Sequence, residues 1–145
     1  MGTSAHRQRV DPGGTGGLDA DNPAALGPAG TVHSTMGDYP RYMMVHLAGA
    51  RGVDGLVSAA TFSKLHTSAP GAGYALGWGT SERDWANGGT LQHSGSNTMW
   101  YAVVWLAPER DLAMFAVTNA AADASARGTD GVVQALIARF DARFP

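Results

Sequence analysis

The chain has 145 residues, 44% of them apolar, a size and composition that suit one globular domain with a real core. Ten Lys and Arg against twelve Asp and Glu give a formal net charge of −2, and no basic stripe or run of like charge marks a nucleic-acid surface. Cysteine is absent, which excludes disulfides and thiolate metal sites and leaves the redox compartment open.

Residues 1–30 hold Pro12-Gly13-Gly14, Gly16-Gly17, Asn22-Pro23 and Gly27-Pro28-Ala29-Gly30. Such dense turn formers forbid a long helix or strand, so this segment is expected to be a leader or loop ahead of a domain over 31–145. The first ten residues are polar, include His6, Arg7 and Arg9, and offer no apolar stretch for a signal peptide. The longest apolar run, Met99 to Ala107, is far shorter than the roughly 20 residues of a membrane-spanning helix. No membrane span is expected, and no cellular address can be read.

Asp38-Tyr39-Pro40 predicts a helix start, with Asp38 as cap and Pro40 in the first turn, where its missing N–H costs nothing. The helix is expected from Tyr39 to about Ala48. Tyr39, Met43 and Leu47, with Tyr42 and His46 beside them, form its apolar stripe, and Gly49 supplies a left-handed stop. Ser58 is the next cap, with Val57 and Phe62 spaced as a hydrophobic staple, and a short helix to about His66 follows. Past Ser68-Ala69-Pro70-Gly71 the pattern turns to strands over 74–79, 91–94, 99–107 and 112–118. The third is apolar at nearly every position, which suits a central strand covered on both faces. Pro108-Glu109-Arg110 makes the tight turn into the fourth, its hairpin partner. Thr129 then caps a closing helix to about Arg143, with Val132, Val133, Leu136, Ile137 and Phe140 on one face. Helices segregated from strands predict an α+β fold, an antiparallel β-sheet with flanking helices.

Leu91-Gln92-His93-Ser94-Gly95-Ser96-Asn97 places polar and glycine positions between two apolar strands. Glycine at 95 removes the side chain that would keep a ligand off the strand edge, while His93, Ser94 and the Ser96 N–H are candidate donors. The tripeptide alone also fits a polar turn with an incidental histidine. Activation of Ser94 by His93 is disfavoured, because successive strand residues point to opposite faces. His33, His46 and His66 lack metal-ligand spacing and read as structural or surface residues, so neither metal nor cofactor is expected. Trp78, Trp85, Tyr101 and Trp105 read as core or sheet cover. Asn97 and Trp100, directly after the box, are the candidates for facing a substrate.

The ordered landmarks are Ser34-Thr35, Leu76-Gly77-Trp78-Gly79, His93-Ser94-Gly95, the 99–107/112–118 hairpin followed by Asn119, and the closing helix. Together, over about residues 23 to 143, they resemble the C-terminal portion of the β-lactamase-related serine hydrolases: class C enzymes, D-alanyl-D-alanine carboxypeptidases and esterase-like relatives. The resemblance implies part of a β-lactamase/penicillin-binding-protein-like fold and acyl transfer to water from an ester, amide or lactam. The family's third active-site box is K-T-G, often H-x-G in esterase-like branches. His93 matches the Lys/His position, Ser94 the hydroxyl, Gly95 the glycine, and Ser96 the residue whose N–H is half of an oxyanion hole. Imidazole is mostly neutral at pH 7 and holds a carboxylate less firmly than an ammonium does, which counts against penicillin-type substrates.

The other two boxes, S-x-x-K and Y-x-N or S-x-N, are missing from this sequence. Its single lysine, Lys64, follows Thr61-Phe62-Ser63, and no Tyr or Ser has Asn two residues later. The resemblance therefore implies a chain inactive by itself, with an N-terminal hydrolase portion as partner and a small acyl substrate or ligand. The alternative is a non-catalytic ligand-binding or interaction module that keeps the pocket wall.

Overall fold

The computed structural model describes residues 22, 24–97, 99–121 and 123–144. Most of the expected leader lies outside that set; its described part includes two short helical turns, Ala24–Leu26 and Gly27–Gly30. Two helices, α1 (Tyr39–Ala50) and α2 (Ala59–His66), precede four strands, and a long helix, α3 (Asp123–Arg143), follows them. The strands β1 (Gly79–Arg83), β2 (Gly88–Ser96), β3 (Tyr101–Ala107) and β4 (Leu112–Thr118) form one antiparallel meander in that order. The α+β expectation is met.

β3 is apolar along its length because both of its faces are covered. Its register places Leu106 between Leu91 and Ala113, and Val104 between His93 and Phe115. These side chains share a face with Met43 and Leu47 of α1 and with Trp78. Val103, Met114 and Ala116 occupy the opposite face, against Val133 of α3, with Trp85, Trp105 and Ile137 partly buried around them. Burying one Leu or Val side chain contributes about 2 kcal/mol, so this two-sided strand is the main source of cohesion.

The hairpin ends share one device. A 3₁₀ turn, Asp84–Ala86 or Pro108–Arg110, is followed by a left-handed Asn87 (φ 58°) or Asp111 (φ 50°), residue types that tolerate that conformation. Arg110 ties the second turn to α3, donating from Nη1 to the Trp85 carbonyl at 2.6 Å and to Asp141, with its guanidinium over the Phe140 ring.

Several boundaries differ from the sequence expectation, each for a local reason. The capping role assigned to Asp38 falls to Thr35, whose Oγ1 accepts from the Asp38 N–H at 3.1 Å, while Asp38 makes no side-chain cap bond. Gly49 does not stop α1; it packs under the Phe62 ring, and Gly52 (φ 83°) takes the left-handed position instead. The strand expected over 74–79 is only an isolated Tyr74–Gly79 bridge, because Gly71, Gly73 and Gly77 adopt positive φ and curl the segment. β3 begins at Tyr101 because the Asn97 carboxamide oxygen accepts from the N–H groups of Met99 and Trp100, holding a turn there. α3 starts six residues before Thr129, which is no cap: its hydroxyl donates to the Ser125 and Ala126 carbonyls within the helix. On that helix Val133 is buried, whereas Val132 and Leu136 stay exposed to one side of the packed face.

Glycine substitutions test this packing. A Cβ at Gly49 would overlap the Phe62 ring, so Gly49→Ala should lower the unfolding free energy by about 1–3 kcal/mol. A Cβ at Gly131 meets open space on α3, so Gly131→Ala should raise it by up to about 1 kcal/mol. Urea midpoints of the two variants should move in opposite directions.

Candidate active-site strand

β2 has two unlike halves. Residues 88–92 pair with β1 on one side, and the last pair is Gly79 with Gln92. From His93 to Ser96 the strand pairs with β3 alone, and its other edge has no strand partner among the described residues. β1 begins where it does because Gly77 (φ 88°) turns the chain and Trp78, 4% exposed, sinks into the core. N–H and C=O groups of successive antiparallel residues point alternately to the two sides, so about half of those in 93–96 face the open edge. The His-Ser-Gly box occupies that exposed end of the strand.

Register settles which side chains lie together. His93 pairs with Val104 and Gly95 with Ala102, on the face covered by α1. Ser94 pairs with Val103 and Ser96 with Tyr101, on the face of α3. Strand alternation thus parts the Ser94 and Ser96 hydroxyls from the His93 ring. Asn97 is committed to the turn into β3 through its carboxamide oxygen, and Trp100, half exposed, follows in the same turn.

The His93 ring is held from outside the strand. Its Nδ1 lies 2.9 Å from the Gly77 carbonyl oxygen and 3.3 Å from the Tyr74 hydroxyl. Tyr74 and Gly77 belong to the segment expected to be a strand, and it is their departure from strand geometry that brings them to His93. No periodicity marks that contact; the run of glycines from 71 to 79 was the available signal.

A second histidine contact joins α1 to α2. His46 Nδ1 and His66 Nε2 lie 2.9 Å apart among the rings of Tyr42, Phe62 and Trp78, and His66 Nδ1 is buried without a partner. This is a structural role, in keeping with the sequence reading of both residues. Burial, and then the charge of His46, push the His66 imidazole down to about 4; burial lowers His46 as well. Among the described residues no group of three His, Cys, Asp or Glu could hold a metal ion, and no described helix is long and apolar enough to cross a membrane. A groove of mixed character, lined by Ala50, Ser68, Thr80, Glu82, Thr90 and Glu109, lies toward the other end of β2.

A family profile described as Beta-lactamase matches residues 2–139. The chain belongs to the β-lactamase family. It carries a partial β-lactamase-like fold, four antiparallel strands with flanking helices, within a family of serine hydrolases. The match reaches back to residue 2, well before the point near residue 23 where the sequence landmarks begin. No curated protein and no solved structure matches this β-lactamase-family chain.

The histidine pair yields a pH prediction. A folded-state pKa below the unfolded value means that protons bind the unfolded chain more readily, so stability is fully present above about pH 6.5 and is lost as pH falls toward 4. The urea midpoint should therefore fall from pH 7 to pH 4, and His66→Gln should flatten that slope relative to the parent chain. Equal slopes in the two proteins would refute the assignment.

Proposed function

We propose that this chain supplies the strand wall of a serine acyl-hydrolase site. In this reading His93 stands beside the acyl group, Gly95 leaves room for it, and the Ser96 N–H is one oxyanion donor. The nucleophilic serine, its lysine and the Tyr or Ser proton-transfer partner are absent from the sequence and come from an N-terminal hydrolase portion, so the chain alone is inactive. The observation that carries this reading is the place of the His-Ser-Gly box: at the one stretch of β2 whose outer edge is open, where an acyl group could lie along backbone donors.

The opposite edge of the sheet supports the need for a partner. β4 pairs only with β3 among the described residues, and its sequence, Leu112 to Thr118, holds neither Lys nor Pro to blunt an edge. An apolar groove runs beside it, lined by Met36, Phe115, Val117, Ala124, Gly128 and Val132. An extended apolar segment of a complementary portion would fit there. In this reading the bond cleaved belongs to an ester, amide or lactam, with histidine in the box favouring substrates that lack a carboxylate at that point.

A second reading keeps the wall without the chemistry. Helices of the chain itself close both faces of β3, which is what a self-sufficient ligand-binding or interaction module requires.

The test is acylation. The isolated chain, treated with a serine-directed fluorophosphonate and assayed on nitrocefin and p-nitrophenyl esters, should show neither adduct nor turnover. Adding a portion that carries S-x-x-K and Y-x-N should restore labelling on the added serine, and His93→Ala should slow that labelling about 10²-fold. A stoichiometric adduct on this chain by itself would overturn the proposal, and a stable monomer with no rescue would favour the module.

A further inference from the structure

We infer that Gly77 and Tyr74 lock His93 in its Nδ1–H tautomer, so that Nε2, standing over Gly95, is left as a hydrogen-bond acceptor and recognises a neutral hydroxyl-type donor instead of a carboxylate. The inference deepens the acyl-site reading above and rests on it for the substrate's position.

A carbonyl oxygen can only accept, so the 2.9 Å contact between Gly77 O and His93 Nδ1 requires the hydrogen on Nδ1. That carbonyl is not free to turn away. Gly77 sits at φ 88°, a conformation that glycine adopts without strain, and the turn is pinned on both sides. Its N–H donates to the Ala75 carbonyl at 3.1 Å, and the Ala75 N–H donates to the Trp78 carbonyl at 2.7 Å. Trp78 in turn is anchored in the core with Met43, Leu47 and Leu91. The hydrophobic layer under α1 thereby dictates which ring nitrogen keeps its lone pair.

Tyr74 follows from the same proton count. Because Nδ1 already carries a hydrogen, the Tyr74 oxygen at 3.3 Å is a second acceptor for it, and the phenolic O–H is left to donate outward. Tyr74 is about half exposed, so that hydrogen is available at the surface. On the other side of the ring, Nε2 stands over the glycine of the box: a Cβ at position 95 would lie 3.9 Å from it. The missing side chain leaves space for a ligand atom against Nε2. A lysine ammonium in this position offers three donors and no acceptor; an imidazole carrying its one hydrogen on Nδ1 offers the reverse at Nε2. The hydroxyl of a departing alcohol meets that requirement; an ester's own oxygens and a substrate carboxylate, which only accept, do not. Tyr74 and Gly77 are positioning residues acting through His93.

The experiment reads the ring directly and needs no turnover. In a long-range ¹H–¹⁵N spectrum of the ¹⁵N-histidine-labelled chain at pH 8, His93 should show a protonated, pyrrole-like Nδ1 and a pyridine-like Nε2. Titration with benzyl alcohol should then move the Nε2 resonance, whereas phenylacetate, with a similar aromatic body and an anionic head, should leave it in place. A protonated Nε2, a response to phenylacetate, or no response to benzyl alcohol would each overturn the inference. A failed rescue of acylation would instead strike the acyl-site reading and leave the tautomer result standing, so the two failures are distinguishable.

Discussion

β3 must be covered on both faces, and the rest of the structure follows from that demand. Val104 and Leu106 on one side and Val103 on the other are all nearly or fully buried, and each needs a separate layer to remove it from water. α1 and Trp78 supply one layer, α3 the other. Truncating a buried leucine such as Leu106 costs about 2–5 kcal/mol, a large part of the roughly 5–15 kcal/mol that holds an ordinary domain together. The register on either side of β3 is consequently not free to slip, since a shift by one residue would turn every apolar side chain of its neighbour to the wrong face.

That constraint carries through to the site. β2 is held in register by β3, which puts His93 and Gly95 on the α1 face and turns the serine hydroxyls to the other. Trp78, needed in the core, forces the chain to turn at Gly77, so β1 cannot extend beside the box and the edge there stays open. The same turn delivers the Gly77 carbonyl to the His93 ring. Packing, strand pairing and ring orientation are therefore one chain of cause, from an apolar layer to the proton on an imidazole. The Arg51–Asp111 pair joining the end of α1 to the β3–β4 turn is exposed on both partners and adds little by comparison.

Much of this was legible in the sequence. The fourth strand, the double-sided character of 99–107, the Ser58-capped α2 and the α+β class follow from periodicity and turn chemistry, and the His-Ser-Gly box stood out as polar residues between apolar strands. What escaped were features set by distant contacts. Gly49 looks like a helix stop by type, yet its conformation is decided by the Phe62 ring thirteen positions on. Tyr74 to Gly79 has the residue alternation of a strand, but the core's claim on Trp78 overrides it. The His46–His66 contact links residues on two helices that no local spacing connects.

The central claim is that β2 changes character at His93: through Gln92 it is paired with β1, and from His93 it pairs with β3 alone, leaving its β1-side edge open. Residue-resolved amide hydrogen exchange on the intact chain tests it. The account predicts slow exchange through 103–107 of β3 and at Leu91 and Gln92 of β2, paired on both sides, with fast exchange at the outward-facing amides among residues 93–95. Uniform protection from Gly88 to Ser96 would contradict it, because a covered edge leaves no place for an acyl group.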